Sequence, residues 1–428
     1  MNEYFNATLG SIVSEGNGKI HTGPFGNQLH ASDYVSEGIP CVMPANMKNN
    51  RVDLTNIAFI KGSDAERLSK YIVKTDDILY SRRGDVTQKA LISLNEVGYF
   101  CGTGCLLLRP GSKIDSNFLI YYLSTTKIQN WIVSQAVGAT MPNLNTGILA
   151  SVPFHAPNTP DQKRIATVLT SLDKKIELNN RINAELEAMA KTLYDYWFVQ
   201  FDFPDANGQP YKTTGGKMVY NPTLKCEIPE GWDDASLVDI AVFTNGIACQ
   251  KYRPDENESF YKVIKIREFS SGLDDKSELV SQTIPEKVII NDGDILFSWS
   301  ATLEVKLWSG GTGGLNQHIF KVTSDKYPKS FYYFGLLKYL EHFKMLAELR
   351  KTTMGHITKD HLVSSRICLP PEGKIKKLEL KLEPILAKIV SNNQQNQKLV
   401  KLRDWLLPML MNGQVTINDS IKVQGSAS

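Results

Sequence analysis

The sequence predicts an α+β chain built twice: two pseudo-symmetric α/β domains separated by two long antiparallel coiled-coil helices. Three observations predict it. Ile165, Leu169, Leu172, Ile176, Asn179, Asn183, Leu186, Ala190, Leu193 and Trp197 form a heptad seam kept over four repeats. The seam returns as Leu378, Leu382, Ile385, Ile389, Asn392, Asn396, Leu399, Arg403, Leu406 and Leu410, each 213 residues after its counterpart (378 − 165). Ahead of each helix lie short apolar runs cut by Gly, Pro, Asn and Asp, the punctuation of strands. A chain that repeats itself at this distance is an internal duplication.

Residues 1–157 form the first domain, with strands expected at Ile39–Met43, Ile57–Ile60, Asp77–Tyr80 before an SRRGD turn, and Cys105–Leu108. A helix is expected from Ser116 to Gln135, where Phe118, Tyr122, Ile128 and Ile132 stand at helical spacing. The first long helix occupies 158–201, and a Gly- and Pro-rich connector without periodicity occupies 202–231. Residues 232–370 begin the plan again. Tyr4, Leu9, Ile12 and Gly18 return as Trp232, Leu237, Ile240 and Gly246, CVMPANM from Cys41 as VIKIREF from Val263, and DILYS from Asp77 as DILFS from Asp294. GATMPNLN from Gly138 is answered by KTTMGHIT from Lys351. The offset falls from 228 (232 − 4) through 222 (263 − 41) and 217 (294 − 77) to 213, as when loops shorten while framework strands persist. The second helix takes 371–412 and a tail 413–428.

Composition narrows the class. With 42% hydrophobic and 22% charged residues the chain is neither disordered nor a membrane protein by content. It has no apolar run near the roughly 18 residues of a spanning helix, and its first residues lack a signal peptide's apolar core, so a cytoplasmic location is expected. The six cysteines include no CxxC pair, and Cys101 and Cys105 alone make a poor zinc site, so no metal is expected. Net charge is only +3, with the surplus in 371–412, where eight Lys and Arg face four Asp and Glu.

Catalytic motifs are incomplete. Asn221-Pro222 is followed by Thr223, so the Asn-Pro-Pro-aromatic motif of an adenine methyltransferase is broken. GTG at Gly102 and GTGG at Gly311 lack the strand, loop and helix of a phosphate cradle and are expected to be turns. Pro254-Asp255 precedes Glu258, but Lys262 has the wrong spacing for a nuclease metal site. A non-catalytic chain is expected.

GPFGNQL (Gly23 to Leu29), GATMPNLN, DQKRIATVLTSLDKKIELNNRIN, LYDYWFVQFDFP, PYKTTGGKMVYN and IPEGW follow one another across nearly the whole chain. In these residues the chain resembles the specificity subunits of type I restriction-modification systems. The resemblance implies two target recognition domains, each reading one half of a bipartite double-stranded DNA target. It implies that the two helices dock two methyltransferase subunits, and that restriction/translocase subunits join in the full complex. S-adenosylmethionine, ATP and Mg would then belong to those partners, with no cofactor in this chain. NGIACQKY stands where a second GPFGNQL would be, as in readers of different half-sites.

On that resemblance, DNA contacts are expected from polar and basic side chains on framework-anchored loops. In the first domain these are His21, Thr22 and Asn27; Lys48, Asn49 and Asn50; Arg82 and Arg83; and Thr140 and Asn143. In the second they are Lys251, Tyr252 and Arg253; Lys265 and Arg267; Trp299 and Ser300, which align with Arg82 and Arg83 (299 − 217 = 82); and Lys351, Thr352, Thr353 and His356. Each has a plainer alternative. The arginines fit a solvated turn, Thr140 and Asn143 fit turn caps, and Trp299 fits either the core or a groove-facing stacker. A coiled-coil scaffold presenting two protein-binding modules is the competing function; near-neutral domains favour it, and unlike loops on like scaffolds oppose it.

The helices carry the sharpest expectation. Parallel pairing sets Asn179 against Asn392 and Asn183 against Asn396, whereas antiparallel pairing sets Asn179 against Asn396 and Asn183 against Asn392. Duplicated halves related by a two-fold axis across the helices require the antiparallel choice. The seam is roughly 48 Å long at about 1.5 Å per residue, an upper limit of about 14 base pairs between half-sites at ~3.4 Å each.

Overall fold

The computed structural model describes residues 4–25, 28–136, 138, 142–349, 356–415 and 417. The chain divides into two compact units, residues 1–174 with 400–428 and residues 175–399, so both borders fall inside the long helices.

Each unit contains the same antiparallel four-stranded sheet. In the first unit the strands are β1 (Lys19–Thr22), β2 (Ile78–Ser81), β3 (Lys89–Leu91) and β4 (Cys105–Arg109), in the order β1-β4-β2-β3. In the second they are β5 (Val242–Asn245), β6 (Ile295–Ser298), β7 (Glu304–Leu307) and β8 (Ile319–Thr323), in the order β5-β8-β6-β7. Period-two alternation decides what each strand buries. Ile78 and Tyr80 enter the core that also holds Ile165 and Leu169, whereas Leu79 enters the core beneath a second sheet. Ile295 and Phe297 are likewise divided from Leu296. A one-residue slip would reverse every such choice, so burial itself holds the register.

Register corrects one equivalence. Thr22 faces Leu106, which faces Tyr80, and Asn245 faces Phe320, which faces Phe297. Thr22 therefore corresponds to Asn245, an offset of 223 (245 − 22), and Gly246 is the counterpart of Gly23, not of Gly18. Gly23 N donates to Cys105 O at 2.8 Å and Gly246 N to Ile319 O at 3.1 Å. Both positions need glycine, because an added Cβ would lie 2.1 Å from Gly102 O in one unit and 2.2 Å from Asn316 O in the other.

The second sheet of each unit includes one parallel pair, Ile39–Val42 beside Phe100–Cys101 and Phe260–Ile264 beside Gly313–Leu315. The latter overturns the expected turn at GTGG. Gly313 and Gly314 are buried strand residues, where a Cβ would meet Lys262 O at 2.8 Å and Val280 Cγ1 at 2.6 Å. The expected helix from Ser116 to Gln135 is two, Ser116–Tyr122 and Thr126–Gln135. Ser124 Oγ and Thr125 Oγ1 donate to Ile120 O and Tyr122 O, and Thr125 adopts extended backbone there. Hydroxyls that bond the preceding turn compete with helix continuation.

The long helices are α1 (Thr159–Phe198) and α2 (Glu372–Met411). Asn158 Oδ1 accepts from Asp161 N at 3.1 Å, and Pro160 sits in the first turn, where its missing N–H costs nothing. In the second unit Asn179 Nδ2 donates to Asn396 Oδ1, and Asn392 Nδ2 to Asn183 Oδ1, each at 2.8 Å. Asn396 Nδ2 donates to Asn180 Oδ1 and Asn183 Nδ2 to Asn393 Oδ1, also at 2.8 Å. In the first unit Arg403 Nη1 donates to Asp173 Oδ1 at 2.8 Å. Partners rise along α1 as they fall along α2, so the helices are antiparallel. The seam position Arg403 is thus polar by pairing.

All six cysteines are free thiols, five of them buried. Among the described residues no helix is long and apolar enough to cross a membrane.

Candidate nucleic-acid interface

The turn joining β2 to β3 is held from several sides. Arg82 N donates to Gly104 O at 2.9 Å and Arg82 O accepts from Leu144 N at 2.8 Å, while Ser81 Oγ donates to Arg83 O at 2.9 Å. Gly84 closes the turn in the left-handed region, φ 76°. The Arg82 guanidinium carbon lies 5.6 Å from the centroid of the Phe25 ring, a cation–π distance. A β-bridge between Arg83 and Asn143 draws the 142–144 segment alongside.

This turn and its approach carry three buried polar atoms without a hydrogen-bond partner among the described residues: Tyr80 Oη, Arg82 Nε and Asn143 Oδ1. Each costs about 1–3 kcal/mol while it stays unpaired. Lys89, at the start of β3, is 3% exposed, and its ammonium donates to Thr87 O at 3.4 Å and lies 5.9 Å from the centroid of the Tyr80 ring. Burial pushes its pKa down to about 8, with Asp85 opposing. Burial also raises the Tyr80 phenol.

The second unit repeats the backbone and changes the chemistry. Ile357 N donates to Trp299 O at 3.0 Å, the counterpart of Leu144 N to Arg82 O. Ala301 takes φ 58° where Gly84 stands in the first unit (301 − 217). Trp299 is half-buried, neither core nor free: its Nε1 donates to Asn245 Oδ1 at 3.3 Å, and the rings of His318, Phe320 and His356 lie 6.0, 5.7 and 6.0 Å away. Tyr80 is replaced by Phe297, which has no hydroxyl to satisfy. Ser300, in the bend after β6, is 7% exposed and its carbonyl accepts from Ser298 Oγ.

The other expected residues are scattered over loops. His21 and Thr22 are half-buried on β1, with His21 Nδ1 3.0 Å from Thr22 O and its ring 5.8 Å from that of Tyr71. Lys48 pairs with Asp53 at 2.5 Å, and that bond holds the Asp53 carboxyl well below the usual range. Asn49 and Asn50 have left-handed backbones, and Asn50 is tied to the framework through Leu91 N and Ser124 Oγ. Lys251, Tyr252 and Arg253 are exposed. Lys265 pairs with Glu278, and Arg267 with Glu268 and Asp274, so both cations have internal partners. Asn27, Thr140, Lys351, Thr352 and Thr353 lie outside the described residues. The structure therefore brings together Arg82, Arg83 and Asn143 in one unit and Trp299 and His356 in the other. Sequence reasoning missed Phe25, Asn245 and His318. Phe25 sat inside the singled-out GPFGNQL and Asn245 opens the singled-out NGIACQKY; His318 carries no local signal, because strand pairing delivers it.

Among the described residues no group of three or more His, Cys, Asp or Glu is placed to hold a metal ion. A family model described as the type I restriction modification DNA specificity domain matches residues 19–188 and again 229–401. The MjaIX specificity subunit of Methanocaldococcus jannaschii is 24% identical, covering 90% of this chain and 89% of that protein. The HindI specificity subunit of Haemophilus influenzae is also 24% identical, covering 86% and 92%. The crystal structure of a type I restriction-modification S subunit from M. genitalium superposes with a TM-score of 0.57 at 14% identity, covering 96% of each chain, a likeness of fold.

Proposed function

The chain belongs to the family of type I restriction-modification DNA specificity domains, and on that premise we propose how it recognises DNA. Each unit reads one half of a bipartite double-stranded target through the turn after β2 or β6 and the segments packed on it. The helices set the separation of the halves and dock two methyltransferase subunits, with restriction/translocase subunits joining in the full complex. The chain itself is non-catalytic, and S-adenosylmethionine, ATP and Mg belong to those partners. It works in the cytoplasm.

One observation carries this reading: the same inter-segment hydrogen bond, at 2.8 Å from Leu144 to Arg82 and at 3.0 Å from Ile357 to Trp299, holds unlike side chains at equivalent places. A scaffold for two protein-binding modules gives no reason for a frame so alike with tips so unlike; readers of two different sequences do. The test is to map methylated sites in a host carrying the chain with its methyltransferase partner. A two-part motif with a fixed spacer is expected, whereas methylation without sequence preference would refute the reading. Inserting four residues after Asn183 should lengthen the spacer; an unchanged spacer in an active complex would remove the helices as the ruler.

A further inference from the structure

We infer that the two half-sites are read by different chemistries: Arg82 with Asn143 hydrogen-bonds a guanine and the base beside it, whereas Trp299 reads its half through ring contacts. The inference rests on the function proposed above and assigns its residues.

Arg82 has the marks of a base reader and lacks those of a structural cation. Arg267 of the second unit is engaged by two carboxylates, Glu268 and Asp274. Arg82 has neither an ion-pair nor a hydrogen-bond partner for its guanidinium among the described residues, and its Nε is buried. Its backbone is anchored on both sides, to Gly104 and Leu144, and its guanidinium lies against Phe25. A phosphate contact needs only a nearby positive charge. A guanine contact needs an oriented planar fork, and here burial of Nε leaves the two terminal nitrogens as a fixed donor pair for O6 and N7. Asn143 adds the complementary half. Its Oδ1 is buried and unpartnered beside Arg83, so turning the side chain out toward the exocyclic amine of a neighbouring adenine or cytosine breaks no hydrogen bond of that oxygen. On binding, the Asn143 oxygen gains the hydrogen bond it lacks in the free protein.

The second unit cannot make that contact. Trp299 replaces Arg82, and its single donor is already given to Asn245. His356, the counterpart of Asn143 (356 − 213), meets the Trp299 ring edge-on at 6.0 Å. What remains for DNA is an apolar ring surface, which suits a thymine methyl or an unstacked base step. Ala301 keeps the same turn although its φ of 58° is unfavourable for a residue with a Cβ. Strain retained at a turn that presents a half-exposed Trp is a signature of a functional segment.

The experiment uses the full chain assembled with its methyltransferase partner on a duplex library randomised across both half-sites, with methylated molecules sequenced. For R82A, discrimination for guanine at one position of one half should fall by about 10- to 100-fold. The other half should be unchanged, which certifies folding and assembly in the same tube. N143A should relax the adjacent position, and W299A should relax a position only in the other half. R82K keeps the charge and loses the fork, so methylation should persist while guanine discrimination drops. If R82A abolishes methylation altogether, R82K decides. A guanine preference retained in R82K, or relaxation in both halves, overturns the inference. A two-part wild-type motif untouched by R82A refutes this assignment and leaves the proposed function standing. A wild-type complex without a two-part motif refutes the proposed function itself.

Discussion

The β2–β3 turn of the first unit and the β6–β7 turn of the second share a frame and differ at every tip. Both leave a strand whose alternate residues feed two cores, both take a left-handed residue at the same place, and both accept a backbone hydrogen bond from the same downstream segment. At the tips, arginine over phenylalanine in one unit becomes tryptophan beside two histidines in the other. Duplication preserved what backbone hydrogen bonds and burial enforce, and released what only a ligand inspects.

Four perturbations break or sharpen this comparison. The largest exchanges residues 1–157 for the equivalent domain of a relative, keeping Ile165, Leu169, Leu410 and Met411, which pack into that unit's core. One half of the methylated motif should change completely and the other not at all; a change in both halves would mean the units do not read separately.

Next are the two helix positions related by duplication, Asn183 and Asn396 (396 − 183 = 213). Asn183→Ala strands the buried Nδ2 of Asn392 and the Oδ1 of Asn393, and should cost about 2–3 kcal/mol in denaturant unfolding. Asn396→Ala strands the exposed Asn180 and leaves Asn179 its bond to Gln395, so about half that cost is expected. Equal costs would show that burial does not separate the two ends of the layer.

Third are two lysines that register does not equate, Lys89, which faces Tyr80, and Lys306, which faces Leu296. The Lys89 ammonium titrates at about 8 in the folded protein against 10.5 for an ordinary lysine. Between those values the unfolded chain binds more protons, so stability should rise with pH across the window, by on the order of 2–3 kcal/mol. Below about pH 8 the cost of the buried charge is fully present. Lys89→Met should abolish the rise and stabilise the protein at neutral pH, as read from unfolding midpoints at pH 7 and 10. Lys306 donates to the Phe269 carbonyl, so Lys306→Met should destabilise instead.

The smallest effect is at the turn residue. Ala301→Gly should stabilise by about 1 kcal/mol, and Gly84→Ala should destabilise by about 1–2 kcal/mol, since only a residue with a Cβ resists the left-handed region. Thermal melts of the two variants should shift in opposite directions; shifts of the same sign would mean the two turns do not share a backbone.

What the amino-acid sequence determined by itself is whatever repeats at short range or copies itself at long range. The heptad seam needs only 3.5-residue periodicity, and the duplication needs only self-comparison. From those two, together with a two-fold axis across the helices, the pairing of Asn179 with Asn396 and of Asn183 with Asn392 followed before any coordinates. Strand pairing decided the rest. Only the register of β1 on β4 and of β5 on β8 shows that Gly246 answers Gly23. Only the packing of sheet on strand shows that a Gly-rich run is a buried strand at Gly313–Leu315. The meeting of Arg82 with Phe25, and of Trp299 with Asn245 and His318, joins segments far apart in the chain. Each segment's local preferences are satisfied with or without that meeting. It is settled by burial and backbone hydrogen bonding summed over the whole unit, which no short stretch of sequence contains.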